Sequence, residues 1–128
     1  MKSKYTGIKR ILKAFTYSYD GFKSAFRSET AVRQDLIVFF LGLLFMFFLP
    51  VTGLEKAILF FSLMLILLME FVNTAIEAII DRISDEYHEL SKKAKDIGSL
   101  LVLGAFLNAI VCWLFIIWPL IGKFLNNQ

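Results

Sequence analysis

Residues 57–81 of the chain are AILFFSLMLILLMEFVNTAIEAIID, an apolar run that is interrupted by Glu70 and then by Asn73, Glu77 and Asp81. A helix that crosses a bilayer needs about 20 mostly apolar residues, and most of this stretch meets that requirement. A carboxylate inside such a span is costly and is usually retained for a function. The stretch therefore predicts a membrane-spanning helix that carries acidic residues.

Two further stretches are apolar enough to cross a membrane. Residues 36–54 and residues 97–122 contain no charged residue, and 58% of the whole chain is hydrophobic, which exceeds the share in ordinary soluble domains. The charged N-terminal segment lacks the apolar core of a signal peptide, so we expect insertion through the chain's own helices. The sequence predicts one all-α membrane domain, residues 1–128. The predicted spans are residues 34–50, 55–80 and 97–119.

The segment before the first span predicts an amphipathic helix on the membrane surface. Between residues 5 and 27, apolar side chains recur at spacings of three and four, which is the pattern of one helix face. Lysine and arginine residues are interspersed among them, as in helices that lie among anionic lipid headgroups. The alternative is a helix packed on the rest of the protein, and the two placements are compatible.

The positive charges predict the orientation in the membrane. Eight of the 14 lysine and arginine residues lie at or before Arg33, and four more lie between the second and third spans. Because basic loops stay on the cytoplasmic side, these residues place the N-terminus and the loop after the second span in the cytosol. The net charge of +3 therefore reflects topology, and no nucleic-acid partner is expected.

The polar residues of the second span share one helix face. At 3.6 residues per turn, Asn73, Glu77 and Asp81 lie within about 60° of Glu70 around the helix axis. Glu70 lies roughly 10 Å deeper along the axis than Glu77, and an ionisable group at that depth indicates a functional site. A buried carboxylate is suited to act as a general base near neutral pH. Asp81 has a simpler alternative explanation, as a charge on an exposed helix end.

Carboxylates near a membrane surface, with cations on the same side, are a typical set for phosphoryl transfer. Glu77, and Glu29 just before the first span, offer the oxygen ligands that Mg²⁺ prefers. Cations for phosphate are available at Arg10, Lys92, Lys93 and Lys95. The sequence contains no glycine-rich phosphate loop and no soluble-kinase motif. His88 lacks the His or Cys partners of a zinc site.

These segments resemble the prokaryotic diacylglycerol kinase family, small membrane enzymes with three spans. The run Glu70-Phe-Val-Asn-Thr-Ala-Ile-Glu77-Ala-Ile-Ile-Asp81-Arg82 and residues 86–99, EYHELSKKAKDIGS, carry the resemblance. Arg10 and residues 14–18 and 29–35 match as well. The EYHELS run is similar to the diacylglycerol-using Gram-negative branch. The Gram-positive branch, which phosphorylates undecaprenol, shares the acidic helix but usually differs in this loop.

The resemblance implies a homotrimeric bundle in the bacterial inner membrane, with a cytoplasmic N-terminus and active sites formed between protomers. It implies ATP-dependent phosphorylation of diacylglycerol to phosphatidic acid, with Mg²⁺ bound to ATP. Glu70 would be the general base, and Glu29 and Glu77 would bind the metal. Nucleotide contacts are implied at Arg10, Tyr17, Glu29, Glu77, Glu86, Tyr87, His88, Lys95 and Asp96. Substrate contacts are implied at Arg10, Ala14, Ser18, Gln34, Glu70 and Ser99, and supporting roles at Asn73 and Asp81.

Three alternative functions stay open at this point. Undecaprenol phosphorylation would use the same site. An ion or proton pathway through Glu70 belongs to another class, but only one carboxylate lies deep in the predicted spans, so a continuous relay lacks its steps. A structural or regulatory subunit would use the acidic face to bind a partner helix.

Overall fold

The computed structural model describes residues 6–126, which form four helices. These are α1 Ile8–Ser28, α2 Thr30–Phe48, α3 Gly53–Ile83 and α4 Glu89–Asn126. The described residues contain no β-strand. The helices α2, α3 and α4 are each long and apolar enough to cross a membrane. The prediction of an all-α fold with three apolar spans is confirmed.

The helix α3 is the centre of the bundle, because it packs against both α2 and α4. Two clusters of buried apolar side chains lie at these contacts: Phe39, Leu63 and Leu67 between α2 and α3, and Ile66, Ala105 and Ala109 between α3 and α4. Lipid tails are as apolar as these side chains, so burial alone does not drive helices together in a bilayer. Close van der Waals contact does, and the two alanines of α4 permit it.

Large apolar side chains cover the outer faces of the spanning helices. Phe47 and Trp118 are each 74% exposed, and Phe115 is 78% exposed. Soluble monomers rarely expose contiguous apolar surface of this kind. Lipid tails or another apolar helix surface would cover it, and this fits a membrane protein.

A single residue, Glu29, connects α1 to α2, and its backbone is extended. The Arg33 guanidinium makes this short connection possible. It donates to the carbonyl oxygens of Phe26 and Arg27, at 2.9 and 3.2 Å, and to the Thr30 hydroxyl at 2.9 Å. A cation that satisfies the last carbonyls of a helix stabilises its C-terminus. The helix α1 thus ends at Ser28, and α2 begins at Thr30, four residues before the predicted span.

The start of α3 is fixed by reciprocal hydrogen bonds between Thr52 and Glu55. The Thr52 hydroxyl accepts from the Glu55 backbone N–H at 3.3 Å, and the Glu55 carboxylate accepts from the Thr52 backbone N–H at 2.7 Å. This arrangement satisfies two amides that would otherwise lack partners at a helix start. The connection from α2 is only four residues long, so α2 and α3 run antiparallel.

The helices α3 and α4 are longer than a bilayer is thick. With 31 and 38 residues, they measure about 46 and 57 Å, against about 30 Å of hydrocarbon. The helix α4 continues past Pro119 to Asn126, beyond the predicted end of the third span. Counted from the start of α3, Glu70 lies at roughly 26 Å and Glu77 at roughly 36 Å. Glu70 therefore lies roughly 10 Å nearer the start of α3 than Glu77 does.

Trp113 of α4 contacts both other spanning helices. Its indole N–H donates to the Ser62 hydroxyl of α3 at 3.2 Å, and this hydroxyl donates to the Leu59 carbonyl at 2.7 Å. Its ring stacks on Phe45 of α2, with 6.0 Å between ring centroids. Polar contacts between helices contribute about 1 kcal/mol in lipid. This contact helps to set the relative depth of the three helices.

Candidate active site

The acidic face of α3 changes from buried to exposed along the helix. Glu70 and Asn73 are 6% and 8% exposed, Glu77 is half-buried, and Asp81 is exposed. The Asn73 side-chain amide donates to Glu77 Oε1 at 3.1 Å. The helix thus presents the Glu70 carboxylate, which is buried from solvent. Two turns later it presents the Glu77 carboxylate, whose orientation is fixed by the Asn73 amide.

Other carboxylates lie close to Glu70. Glu29 at the α1–α2 junction, Glu77 on α3 and Asp35 on α2 are all near enough for their charges to interact with that of Glu70. Asp35 is 7% exposed, and its Oδ2 has no hydrogen-bond partner among the described residues. Asp35 is absent from the predicted site. Asp35 is thus a second buried carboxylate beside the acidic face, on the second turn of α2.

The carboxylates fit a magnesium ion that is shared with a nucleotide. Within residues 6–126, no three His, Cys, Asp or Glu side chains are arranged to hold a metal ion. Mg²⁺ usually takes only one or two carboxylates, and water and substrate phosphates complete its octahedron. Glu29 and Glu77, both half-buried, supply two such carboxylates. This donor set fits Mg²⁺ when phosphates provide further oxygens.

A polar cavity of about 670 Å³ lies where α3 ends and α4 begins. Its lining includes five of the predicted nucleotide contacts, Glu86, Tyr87, His88, Lys95 and Asp96. Asp81 lines it too and accepts a hydrogen bond from Lys95 Nζ at 2.5 Å. Asp81 is therefore more than a charge on a helix end, because it fixes a lysine that points into the cavity region. The lining combines two lysines with four carboxylates, two serine hydroxyls and the Tyr87 ring, so phosphates bound here would need a cation such as Mg²⁺ to offset the carboxylates.

His88 caps the start of α4 at the edge of this cavity. Its Nδ1 accepts a hydrogen bond from the Leu90 backbone N–H at 3.2 Å. Its backbone carbonyl accepts a hydrogen bond from the Lys92 backbone N–H at 3.0 Å. Both bonds satisfy amides that have no partner within the helix. Since Nδ1 accepts, a neutral imidazole carries its proton on Nε2. That atom can donate to a ligand while the ring holds the helix start.

A second cavity, of about 460 Å³, lies between α1 and α3. Phe22 and Phe71 contribute apolar walls, with 6.1 Å between their ring centroids. The polar lining residues are Ser18, Ser24, Ser28, Glu29 and Thr74. The Thr74 hydroxyl is buried without a hydrogen-bond partner among the described residues. Apolar walls with a few convergent oxygens suit a ligand that has apolar tails and a hydroxyl head.

Several predicted site residues do not line either cavity, and Glu70, Asn73 and Glu77 of the acidic face are among them. Arg10, Ala14 and Tyr17 lie on exposed positions of α1, and Gln34 and Ser99 are exposed on α2 and α4. A site that used all of them together with the acidic face would need a second copy of the chain or a movement of α1.

Comparison with known proteins identifies the family. The sequence profile of the family described as prokaryotic diacylglycerol kinase matches residues 16–117. The chain belongs to this family. All predicted site residues of this prokaryotic diacylglycerol kinase family member, apart from Arg10 and Ala14, lie inside the matched range.

Relatives of this family member include three proteins named diacylglycerol kinase. That of Escherichia coli (strain K12) is 40% identical over 122 residues, which cover 95% of this chain and 100% of the relative. That of Pseudomonas aeruginosa is 44% identical over 108 residues, or 84% and 88% of the two chains. That of Haemophilus influenzae is 37% identical over 115 residues, or 90% and 93%. The resemblance noted from the sequence is confirmed.

Proposed function

We propose that this diacylglycerol kinase transfers the γ-phosphoryl group of ATP to diacylglycerol, forming phosphatidic acid at the cytoplasmic face of the bacterial inner membrane. The acidic face of α3 carries the proposal, because Glu70 is buried and Glu77 is half-buried on the same face at different depths. A nucleotide stays in water, and the hydroxyl of diacylglycerol stays at the hydrocarbon boundary. One helix face of this length can reach both.

Glu70 is the general base in this proposal. Its carboxylate takes the proton of the lipid hydroxyl as the hydroxyl oxygen attacks the γ-phosphorus of ATP. The bond between that phosphorus and the β,γ-bridging oxygen breaks, and its electron pair leaves with ADP. Burial keeps competing water away from the carboxylate. This arrangement favours transfer to the lipid over hydrolysis of ATP.

Glu29 and Glu77 would hold Mg²⁺ on the ATP phosphates, and the ion would supply positive charge for the transferred group. Asn73 keeps the Glu77 carboxylate in one orientation through its hydrogen bond. The polar cavity supplies the remaining nucleotide contacts, with Lys95 as a cation for phosphate and His88 Nε2 as a neutral donor.

Diacylglycerol enters the cavity between α1 and α3. The phenylalanine walls accept the acyl chains next to the glycerol, and the oxygens of Ser18 and Thr74 lie beside its hydroxyl end. Phe15 and other exposed apolar residues of α1 face the membrane, while its lysines and arginines contact anionic headgroups. The homotrimer brings Arg10, Tyr17 and the remaining α1 contacts to a neighbouring acidic face.

Side-by-side turnover of two lipids tests the proposal. Purified protein in mixed micelles receives Mg²⁺-ATP with dioleoylglycerol or undecaprenol at equal mole fraction, and the phosphorylated lipid is quantified. We expect phosphatidic acid to form faster. A preference for undecaprenol would overturn the substrate assignment. Proton flux into liposomes without nucleotide, with no lipid phosphorylation, would favour the relay function.

A further inference from the structure

We propose that Gly98 of α4 is a positioning residue for the metal site. Its missing side chain makes room for Asn73, and Asn73 in turn orients the Glu77 carboxylate. The inference rests on the metal-binding role proposed above for Glu77. It adds a residue of α4, outside the acidic face of α3, that controls how Glu77 binds the metal.

Gly98 of α4 lies directly against Asn73 of α3. It is buried, and a β-carbon at this position would overlap Asn73 Oδ1 and lie 3.3 Å from Asn73 Cγ. The Asn73 side chain is 8% exposed, so it has little space into which it can retreat. Any residue larger than glycine at position 98 therefore displaces the Asn73 amide.

The hydrogen bond to Glu77 determines which end of the Asn73 amide faces Gly98. The Asn73 Nδ2 donates to Glu77 Oε1 at 3.1 Å. Flipping the amide would place its carbonyl oxygen against the carboxylate, and two acceptors cannot share a hydrogen bond. The carbonyl oxygen must therefore face α4, where it has no hydrogen-bond partner among the described residues. A glycine Cα–H offers it a weak contact, whereas a methyl group would block it.

The consequence falls on metal binding. A carboxylate that binds a metal through one oxygen is commonly held by a hydrogen bond to the other, and loss of such a partner weakens metal binding 10- to 100-fold. Displacing Asn73 would release Glu77 Oε1 and let the carboxylate rotate. Glu70 and the apolar cavity do not depend on this bond, so the base and the lipid contacts stay in place.

The same helix offers a matched control. At Gly104, an added β-carbon meets nothing within 4 Å in the described chain. Gly98→Ala and Gly104→Ala remove the same backbone freedom and add the same methyl group. Only the first of the two meets Asn73, so the difference between the two variants isolates that contact.

The test measures the Mg²⁺ concentration for half-maximal diacylglycerol phosphorylation in four variants. We expect Gly98→Ala to raise it about tenfold, and Gly104→Ala to leave it at the wild-type value. Asn73→Ala should raise it as well. Adding Gly98→Ala to Asn73→Ala should cause no further rise, because the side chain that the methyl group would displace is gone. An additive loss in the double variant, or an unchanged metal requirement in Gly98→Ala, would overturn the proposal.

Thermal unfolding in detergent tests the contact independently of turnover. If Gly98→Ala is too unstable to purify, the double variant with Asn73→Ala should restore folded protein, and failure to do so would contradict the contact. The parent proposal has its own readout. A Glu77→Gln variant with the wild-type metal requirement would remove the metal role of Glu77, even if the unfolding data showed that Gly98 and Asn73 are coupled.

Discussion

The two cavities beside α3 use successive stretches of one helix but face different surroundings. The cavity between α1 and α3 has phenylalanine walls and few polar atoms, and α3 lines it up to Ala78. The cavity at the start of α4 is lined by charged and polar side chains, and α3 lines it from Ile80 onward. Glu77 lies just before the change from one stretch to the other. One helix therefore contributes to an apolar cavity beside α1 and, further along its length, to a polar cavity beside α4.

The largest expected effect is that of Glu70→Gln, which removes the base and leaves both cavities intact. We expect kcat for phosphatidic acid formation to fall about 10²- to 10⁴-fold, the usual contribution of a general base. The KM values for ATP and diacylglycerol should change little, because glutamine keeps the size and polarity of the side chain. Initial rates over a range of both substrates measure this separation.

A carboxylate at the other end of the same helix provides the control. Glu55→Gln keeps an oxygen that can accept from the Thr52 backbone N–H, so α3 still starts at the same place. We expect near-wild-type rates. Wild-type turnover in Glu70→Gln would show that Glu70 is not the general base, and the proposal would then lack one.

Lys95→Ala should affect the polar cavity and spare the cavity between α1 and α3. The variant loses a cation that lines the polar cavity and leaves Asp81 without its partner. We expect the KM for ATP to rise about tenfold, the scale of one hydrogen bond to a charged group. Because the ion pair is solvent-exposed, the free energy of unfolding should change little.

Lys93→Ala is the matched control, since Lys93 is exposed and does not line the polar cavity. Its kinetics should resemble those of the wild type. A rise in the KM for diacylglycerol in Lys95→Ala, equal to the rise for ATP, would show that the two cavities do not act separately.

Thr74→Val should have the smallest kinetic effect. In contrast to Lys95→Ala, it should change the KM for diacylglycerol and not the KM for ATP. Valine keeps the shape of threonine but removes a buried hydroxyl that has no hydrogen-bond partner among the described residues. The free energy of unfolding should stay the same or rise by about 1 kcal/mol, because a buried hydroxyl without a hydrogen-bond partner is removed. The KM for diacylglycerol should rise by about threefold if the hydroxyl contacts the lipid head, while the KM for ATP serves as internal reference. An unchanged KM for diacylglycerol would place the lipid elsewhere.

The acidic face of α3 could be predicted because helical period and depth are properties of one segment. The order of burial from Glu70 to Asp81 follows directly from them. Asp35 was missed because the uncharged run begins one residue later, whereas Arg33 lets α2 start at Thr30. A usable signal did exist: Val32, Asp35 and Phe39 are spaced by three and four residues, and all are buried on one face.

Gly98 and Thr74 could not have been found in the same way. Their importance depends on which atoms a second helix places opposite them, and the sequence of one helix does not contain its register against another. The same limit applies to Arg10 and Tyr17, whose predicted nucleotide contacts lie apart from the polar cavity in a single chain. Local pattern therefore predicts the helices and their faces, while the contacts between helices require the structure.

The position of Trp113 gives the protein a built-in optical probe. Its indole contacts α2 through Phe45 and α3 through Ser62, whereas Trp118, the other tryptophan, is 74% exposed. Indole emission shifts with the polarity and hydrogen bonding around the ring, so Trp113 emission reports on whether the three spanning helices are in register. Quenchers attached to lipid tails would reach Trp118 first, and the two signals would separate helix association from insertion into the bilayer.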